Sequence, residues 1–288
     1  MNGRILRWRL LLRFALALAA LLVLQGLQAW SLALLVMCFH GFVMLASFAW
    51  LLLASAATPW ALVRAGWREF WLYEWAFSYC QPLAEQRVPD TPVAAAPGMR
   101  GILLLHGFGC NRGLWNSWTQ RLRLQGRAFM ALSLEPVHGS IDAYAEQVEA
   151  AVQVLAANTG LPPLIVCHSM GGLAARAWWR KYGRHGRAHA IVTLGTPHAG
   201  TPVARWSAAV NARQMRPGSA WLAELARHEG AHPLLPMLCV ASDCDQIVFP
   251  PASALLPGAR HLTLQATGHL GLAFHGRVWA EVQALLAA

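Results

Sequence analysis

The sequence predicts an α/β protein: a mostly parallel sheet flanked by helices, carrying a helical insertion and preceded by an N-terminal transmembrane helical hairpin. Two patterns predict it. From Arg100 onward, short apolar runs alternate with amphipathic stretches, which implies parallel strands joined by helical crossovers and covered on both faces. Between Leu10 and Ala57 the chain is nearly uncharged after Arg13, over far more than the roughly 20 residues one helix needs to cross a bilayer. Composition agrees, because 56% hydrophobic and 12% charged residues among 288 is too apolar a balance for an ordinary soluble chain.

Taken in order, residues 1–57 form the membrane unit. Gln25, Gly26 and Gln28 interrupt the apolar run, so two helices are expected, about 10–24 and about 31–53. Arg13 is expected to snorkel toward the headgroups beside Arg4, Arg7 and Arg9. A secretory signal is the alternative, with Ala54-Ser55-Ala56 as a cleavage site, but the apolar stretch is far too long for one.

Residues 58–98 follow as an interfacial helix and linker. Trp60, Trp67, Trp71 and Trp75 recur largely at helical spacing, which suits either a helix lying in the membrane interface or one packed on the following domain. The proline- and alanine-rich stretch 88–98 reads as the linker. A net charge of +10 could suit nucleic acid, yet no nucleic-acid-binding motif is present. Anionic lipid of a bilayer is the expected partner of the basic residues, unless they simply form a solvated helix face. The six cysteines are scattered as small hydrophobes, without disulfide or metal spacing.

In residues 99–288 the expected strands are 101–105, 128–134, 164–167, 190–194, 237–241 and 261–264, with helices at 141–157 and 173–182 among them. Such sheets place their chemistry beyond the carboxyl ends of the strands. There stands IVCHSMGGLAAR, 165–176, an apolar strand turning at once into a helix. A corner this sharp strains the residue at its tip and requires small neighbours, a need met by Gly171 and Gly172. Ser169 is thereby presented at a helix amino terminus, where developing negative charge is favoured.

This strand-turn-helix resembles the nucleophile elbow of the α/β-hydrolase superfamily, and within it the chain is similar to bacterial lipases. The family's G-x-S-x-G becomes CHSMG at 167–171, with cysteine in place of the first glycine. LLLHGFG at 103–109 resembles the family's oxyanion loop. The match implies that Phe108 and Met170 supply the oxyanion N–H groups, and that His106 holds the loop. SDCDQIVFP at 242–250 resembles the acid loop, which implies Asp245; Asp243, closer to the strand end, is the competing carboxylate. TGHLGL at 267–272 matches the family's Gly-His-Leu segment and implies His269 as the base opening the final helix. His185, His189, His228, His232, His261 and His275 have no motif around them.

A serine hydroxyl needs such a base, and the base needs an orienting carboxylate. TLGTPHAGTP at 193–202 resembles a motif of lipases and related acyl-ester hydrolases, which implies that the insertion at about 203–233 is a lid, the alternative being an ordinary helical cap. Glu135 and Asp142, in LEPVHGSID, are acids without a triad role. The resemblance implies a serine hydrolase of lipid or acyl esters, with no cofactor and no metal. An acyltransferase or thioesterase of the same fold, or a non-catalytic membrane scaffold, are the alternatives. With two spans, the basic residues at either end favour a cytoplasmic catalytic domain, whereas one span or a cleaved signal would place it outside.

Overall fold

The computed structural model of the chain describes residues 2–24, 27–183, 186–231 and 235–287. Six parallel strands form one sheet: β1 (Ile102–Leu105), β2 (Phe129–Leu132), β3 (Leu164–His168), β4 (Ala190–Leu194), β5 (Met237–Ser242) and β6 (Arg260–Leu264). Their spatial order is β2-β1-β3-β4-β5-β6. The chain leaves β1 toward one edge and returns at β3 toward the other, so the order reverses between β1 and β3. Loops at such a switch point diverge and open a crevice. The two that diverge here are HGFG and HSMG.

The strands read from sequence agree within a few residues. All residues of β1, β3, β4 and β5 are buried, as expected of parallel strands covered on both faces. On one face lie Leu103, Ile165 and Ile191, against Tyr144, Val148, Leu173 and Trp178. On the other lie Leu104, Val166 and Val192, against Trp115, Leu122, Val278 and Val282.

The N-terminal helices are α1 (Asn2–Val23), α2 (Leu27–Met37), α3 (Phe39–Ala54), α4 (Pro59–Trp75) and the short α5 (Gln81–Leu83). Among the described residues, no single helix is long and apolar enough to cross a membrane. The expected second span is two helices bent by 79° at Cys38. Gln25 and Gly26, read as the interruption before it, lie outside the described residues.

Arg13 also departs from expectation. It is buried rather than snorkelling, with Glu74 Oε2 at 3.0 Å, Ser78 Oγ at 3.1 Å and the Val36 carbonyl at 3.0 Å. The physical reason is the carboxylate on α4, which gives a desolvated guanidinium a counter-charge that apolar surroundings lack.

Helix α4 packs on the following domain by one face and leaves its tryptophans on the other. Leu62, Ala65, Gly66, Glu69, Phe70 and Tyr73 form its buried stripe, while Trp60, Val63, Trp67 and Trp71 point outward. The inner face joins the core of the sheet through Tyr73. Leu62 and Ala65 pack with Phe48 and Leu51 of α3 and with Cys244. The following stretch is pinned rather than free: Thr91 exchanges backbone hydrogen bonds with Phe129, and Asp90 pairs with Arg112.

Helices α6 (Asn116–Leu124), α7 (Tyr144–Thr159), α8 (Met170–Tyr182) and α11 (Gly276–Ala287) flank the sheet. The insertion comprises a 3-10 turn at Pro202–Trp206, α9 (Val210–Gln214) and α10 (Ala220–Ala231). It is seated on α8 by a buried ion pair, Arg176 Nη2 to Glu229 Oε2 at 2.6 Å. Gln214 Oε1 further accepts from Ile141 N at 2.8 Å. The end of the expected lid, Pro233, lies outside the described residues. All six cysteines are free thiols, five of them buried.

Candidate active site

Ser169 sits at the corner between β3 and α8 with φ 53 and ψ −127. Positive φ disfavours a side-chain-bearing residue, so the corner must be held from outside. Ser169 N donates to the Leu194 carbonyl at 2.8 Å, and its own carbonyl accepts from Thr196 Oγ1 at 2.8 Å and Gly172 N at 3.0 Å. The need for small neighbours is equally concrete. A Cβ at Gly171 would lie 2.6 Å from the Leu105 carbonyl oxygen, and one at Gly172 would lie 2.1 Å from Thr196 Oγ1. Cys167, where the family has glycine, is wholly buried in the apolar core beneath the sheet face, so a small side chain fits there.

The HGFG loop closes on this corner from β1. A Cβ at Gly107 would come within 2.8 Å of Ser169 Cβ and 3.4 Å of its Oγ. His106 braces the loop: its Nε2 accepts from Leu134 N at 2.8 Å, which leaves Nδ1–H to donate to the Gly107 carbonyl at 2.8 Å. Burial pushes His106 down to about 4, so it is neutral there. The backbone N–H groups of Phe108 and Met170 donate to no acceptor among the described residues.

The acid loop after β5 separates its two aspartates. Asp245 Oδ2 lies 2.8 Å from His269 Nδ1, and Asp245 Oδ1 accepts from Ile247 N at 2.9 Å and Val248 N at 2.8 Å. Asp243 turns away and accepts from Ala266 N at 2.9 Å, holding a residue whose φ of 49 is strained. His269 ends a loop and leads into a 3-10 turn, Leu270–Phe274, rather than the final helix, which starts at Gly276. Burial presses its pKa down, but the charge and hydrogen bond of Asp245, with the charge of Glu69, raise it overall.

Ser169 and His269 share neighbours, while no hydrogen bond joins the serine hydroxyl to the imidazole among the described residues. The His168 ring lies against the His269 ring at 4.7 Å between centroids, and His168 Nε2–H donates to the His269 carbonyl at 3.0 Å. Gly195, which follows the carbonyl that holds Ser169, is as close on the other side. Its missing Cβ would lie 2.8 Å from Asp245 Oδ2 and 3.0 Å from His269 Nδ1. Ser169, Asp245 and His269 are all buried. Such an arrangement can deprotonate an alcohol and stabilise the imidazolium that results.

Three supporting residues escaped the sequence reading: His168, Gln246 and Glu69. Gln246 Oε1 accepts from His269 N at 3.0 Å. Glu69 Oε2 accepts from Leu270 N at 3.1 Å, and its Oε1 from Gly271 N at 2.5 Å. Glu69 had a legible signal, being the lone acid on the apolar stripe of α4. Glu135 and Asp142 lie outside the group: Glu135 accepts from Asn2 N, and Asp142 pairs with Arg180 and Trp221. Among the described residues, no cluster of His, Cys, Asp or Glu has the arrangement of a metal site.

No protein-family model matches the chain, and no curated protein matches it. Solved structures do. The mature form of the Bacillus licheniformis lipase BlEst2 is 16% identical with a TM-score of 0.58, over 67% of this chain and 95% of that one. Aspergillus fumigatus lipase B is 17% identical with a TM-score of 0.58, over 68% of this chain and 55% of that one. The chain thus spans about half the length of the Aspergillus protein. These likenesses show a shared fold, and the six-stranded parallel sheet flanked by helices fits that of the α/β hydrolases.

Proposed function

We propose that this chain is a membrane-associated serine hydrolase of carboxylic esters, acting on lipid or acyl esters through Ser169, His269 and Asp245. The observation that carries the reading is the buried Asp245–His269 pair at 2.8 Å, beside a serine held at a strained strand-to-helix corner. The Ser169 hydroxyl attacks the ester carbonyl while His269 Nε2 takes its proton. The carbonyl oxygen becomes an oxyanion held by the N–H groups of Phe108 and Met170. When the intermediate collapses, the alcohol leaves with the proton from His269, and Ser169 carries the acyl group. Water then attacks that acyl carbon, giving its proton to His269, and the carboxylic acid departs as Ser169 is reprotonated. Each oxyanion donor contributes about 3 kcal/mol to such a barrier, and Asp245 fixes the tautomer that leaves Nε2 free.

The membrane part of the reading is supported by surface chemistry. Leu11, Leu12, Phe14, Leu18 and Leu22 of α1 are exposed, and Trp67 and Trp71 of α4 are 60% and 55% exposed. Exposed apolar side chains in such number mark a surface that meets lipid or another apolar partner. In this reading the exposed apolar side chains of α1 and α4 enter the lipid, with Arg4, Arg7, Arg9, Arg64 and Arg68 at the headgroups.

Labelling with a fluorophosphonate tests the chemistry. The folded chain is expected to label at Ser169, and Ser169→Ala to abolish both labelling and ester hydrolysis. A folded chain that does not label is a scaffold rather than an enzyme. A panel of glycerides, simple esters and acyl thioesters then separates esterase from thioesterase.

A further inference from the structure

The buried stripe of α4 is apolar except at Glu69, which is only 1% exposed. Its carboxylate meets three donors: Leu270 N, Gly271 N, and Gln246 Nε2 at 3.3 Å from Oε2. Gln246 passes the contact on, since its Oε1 accepts from His269 N. The backbone N–H groups of three successive residues, 269 to 271, are thus fixed by two side chains from outside the segment. The fit is close enough to constrain composition. A Cβ at Gly268 would lie 2.0 Å from Glu69 Cγ, so the segment must carry glycine there for the helix to approach.

A carboxylate is a costly way to fill an apolar stripe. Burial drives Glu69 up to about 7, against the hydrogen bonds from Gly271 and Leu270 and the charge of His269. An apolar side chain would avoid that cost but would leave two buried N–H groups unpaired. The groups facing His269 are Asp245 from the acid loop, His168 from β3 and Glu69 from α4; Tyr73, also on α4, faces Glu69.

We propose that Glu69 is a positioning residue for His269, fixing the backbone of residues 269–271 so that the ring faces Ser169, and supporting the imidazolium with its charge. This rests on the triad reading above. It makes an N-terminal helix, lying before the hydrolase sheet in sequence, part of the working centre.

The test uses the full-length chain with p-nitrophenyl butyrate from pH 5 to 9, together with fluorophosphonate labelling and near-UV circular dichroism. Glu69→Gln keeps the shape and one acceptor oxygen while removing the charge. Its kcat is expected to fall about tenfold with KM changed less than about twofold. Losing the negative charge weakens proton binding by His269, so the acid limb of kcat/KM moves to lower pH. Glu69→Ala is expected to lose about a hundredfold in kcat and labelling rate; if it does not fold, Glu69→Gln decides. A folded Glu69→Gln with wild-type kcat and an unmoved acid limb overturns the proposal alone. A wild-type chain that fails to label at Ser169 overturns the triad reading on which it stands.

Discussion

Asp245 and His269 meet at 2.8 Å, Oδ2 to Nδ1, while Asp243, two residues earlier, turns to the backbone of Ala266. Replacing the acid that faces the imidazole leaves its tautomer and charge unsupported. Asp245→Asn is expected to lower kcat by about 10⁴-fold, and Asp243→Asn by less than about tenfold through a loosened loop. Steady-state hydrolysis of p-nitrophenyl butyrate distinguishes them. Equal losses in the two variants would reject the assignment.

The buried histidines predict acid sensitivity. Burial pushes His106 to about 4 and His168 to about 3, and the latter is also lowered by neighbouring His269. Below the ordinary imidazole value the unfolded chain takes up protons that the folded one refuses, so these residues stabilise the fold above pH 6.5 and lose that contribution as pH falls toward 4. The His106 shift alone corresponds to something on the order of 3 kcal/mol. Glu69 and His269, both raised, act in the opposite sense: the Glu69 penalty grows from about pH 4.5 to about 7, and the His269 contribution disappears as pH rises through its folded value. The effect is isolated by comparison. His106→Gln is expected to be less stable than wild type at pH 8 yet show a shallower decline between pH 6.5 and 4, measured by urea unfolding. An unchanged slope would remove His106 from the account.

Glycine is required at the elbow for different reasons from those at the loop beyond it. At Gly171 an added methyl would collide with two backbone oxygens, those of Leu105 at 2.6 Å and His106 at 2.8 Å. At Gly109, with φ +69, nothing lies within 4 Å, so the cost there is conformational alone. Gly109→Ala is expected to cost about 1 to 2 kcal/mol and retain labelling of Ser169. Gly171→Ala is expected to lose both the sharp thermal transition and the labelling. A well-folded, labelled Gly171→Ala would contradict the packing at the corner.

The outward tryptophans of α4 predict a separation of membrane binding from chemistry. Trp67→Ser with Trp71→Ser removes apolar surface on the face opposite Glu69. Cosedimentation with phosphatidylglycerol vesicles is expected to fall at least about tenfold, with kcat on soluble p-nitrophenyl butyrate within about twofold of wild type. Undiminished cosedimentation would mean that this face does not meet lipid.

The serine elbow, the HGFG loop and the histidine segment were legible because their requirements are local. A strand that turns at once into a helix needs Gly171 and Gly172 beside Ser169, and those residues adjoin it in sequence. The strands were legible for a similar reason, since burial on both faces imposes continuous apolar runs. The choice of Asp245 over Asp243 rested on the resemblance of 242–250 to an acid loop alone, because the carboxylate's direction depends on the Ile247 and Val248 N–H groups that hold it.

Hydrophobicity determined that the first part of the chain is helical and apolar, and it is silent on how those helices are arranged. Tertiary structure decided the bend at Cys38, the inward turn of Arg13 toward Glu74, and the seat of Glu69 behind His269. Each of these concerns where a polar or charged group finds its partner, and the partners stand 61 and about 200 residues apart in the two paired cases. Periodicity fixes which side of a helix is apolar; only the folded chain brings a distant donor or counter-charge within hydrogen-bonding reach of a buried group, and the cost of leaving that group unpaired selects the arrangement.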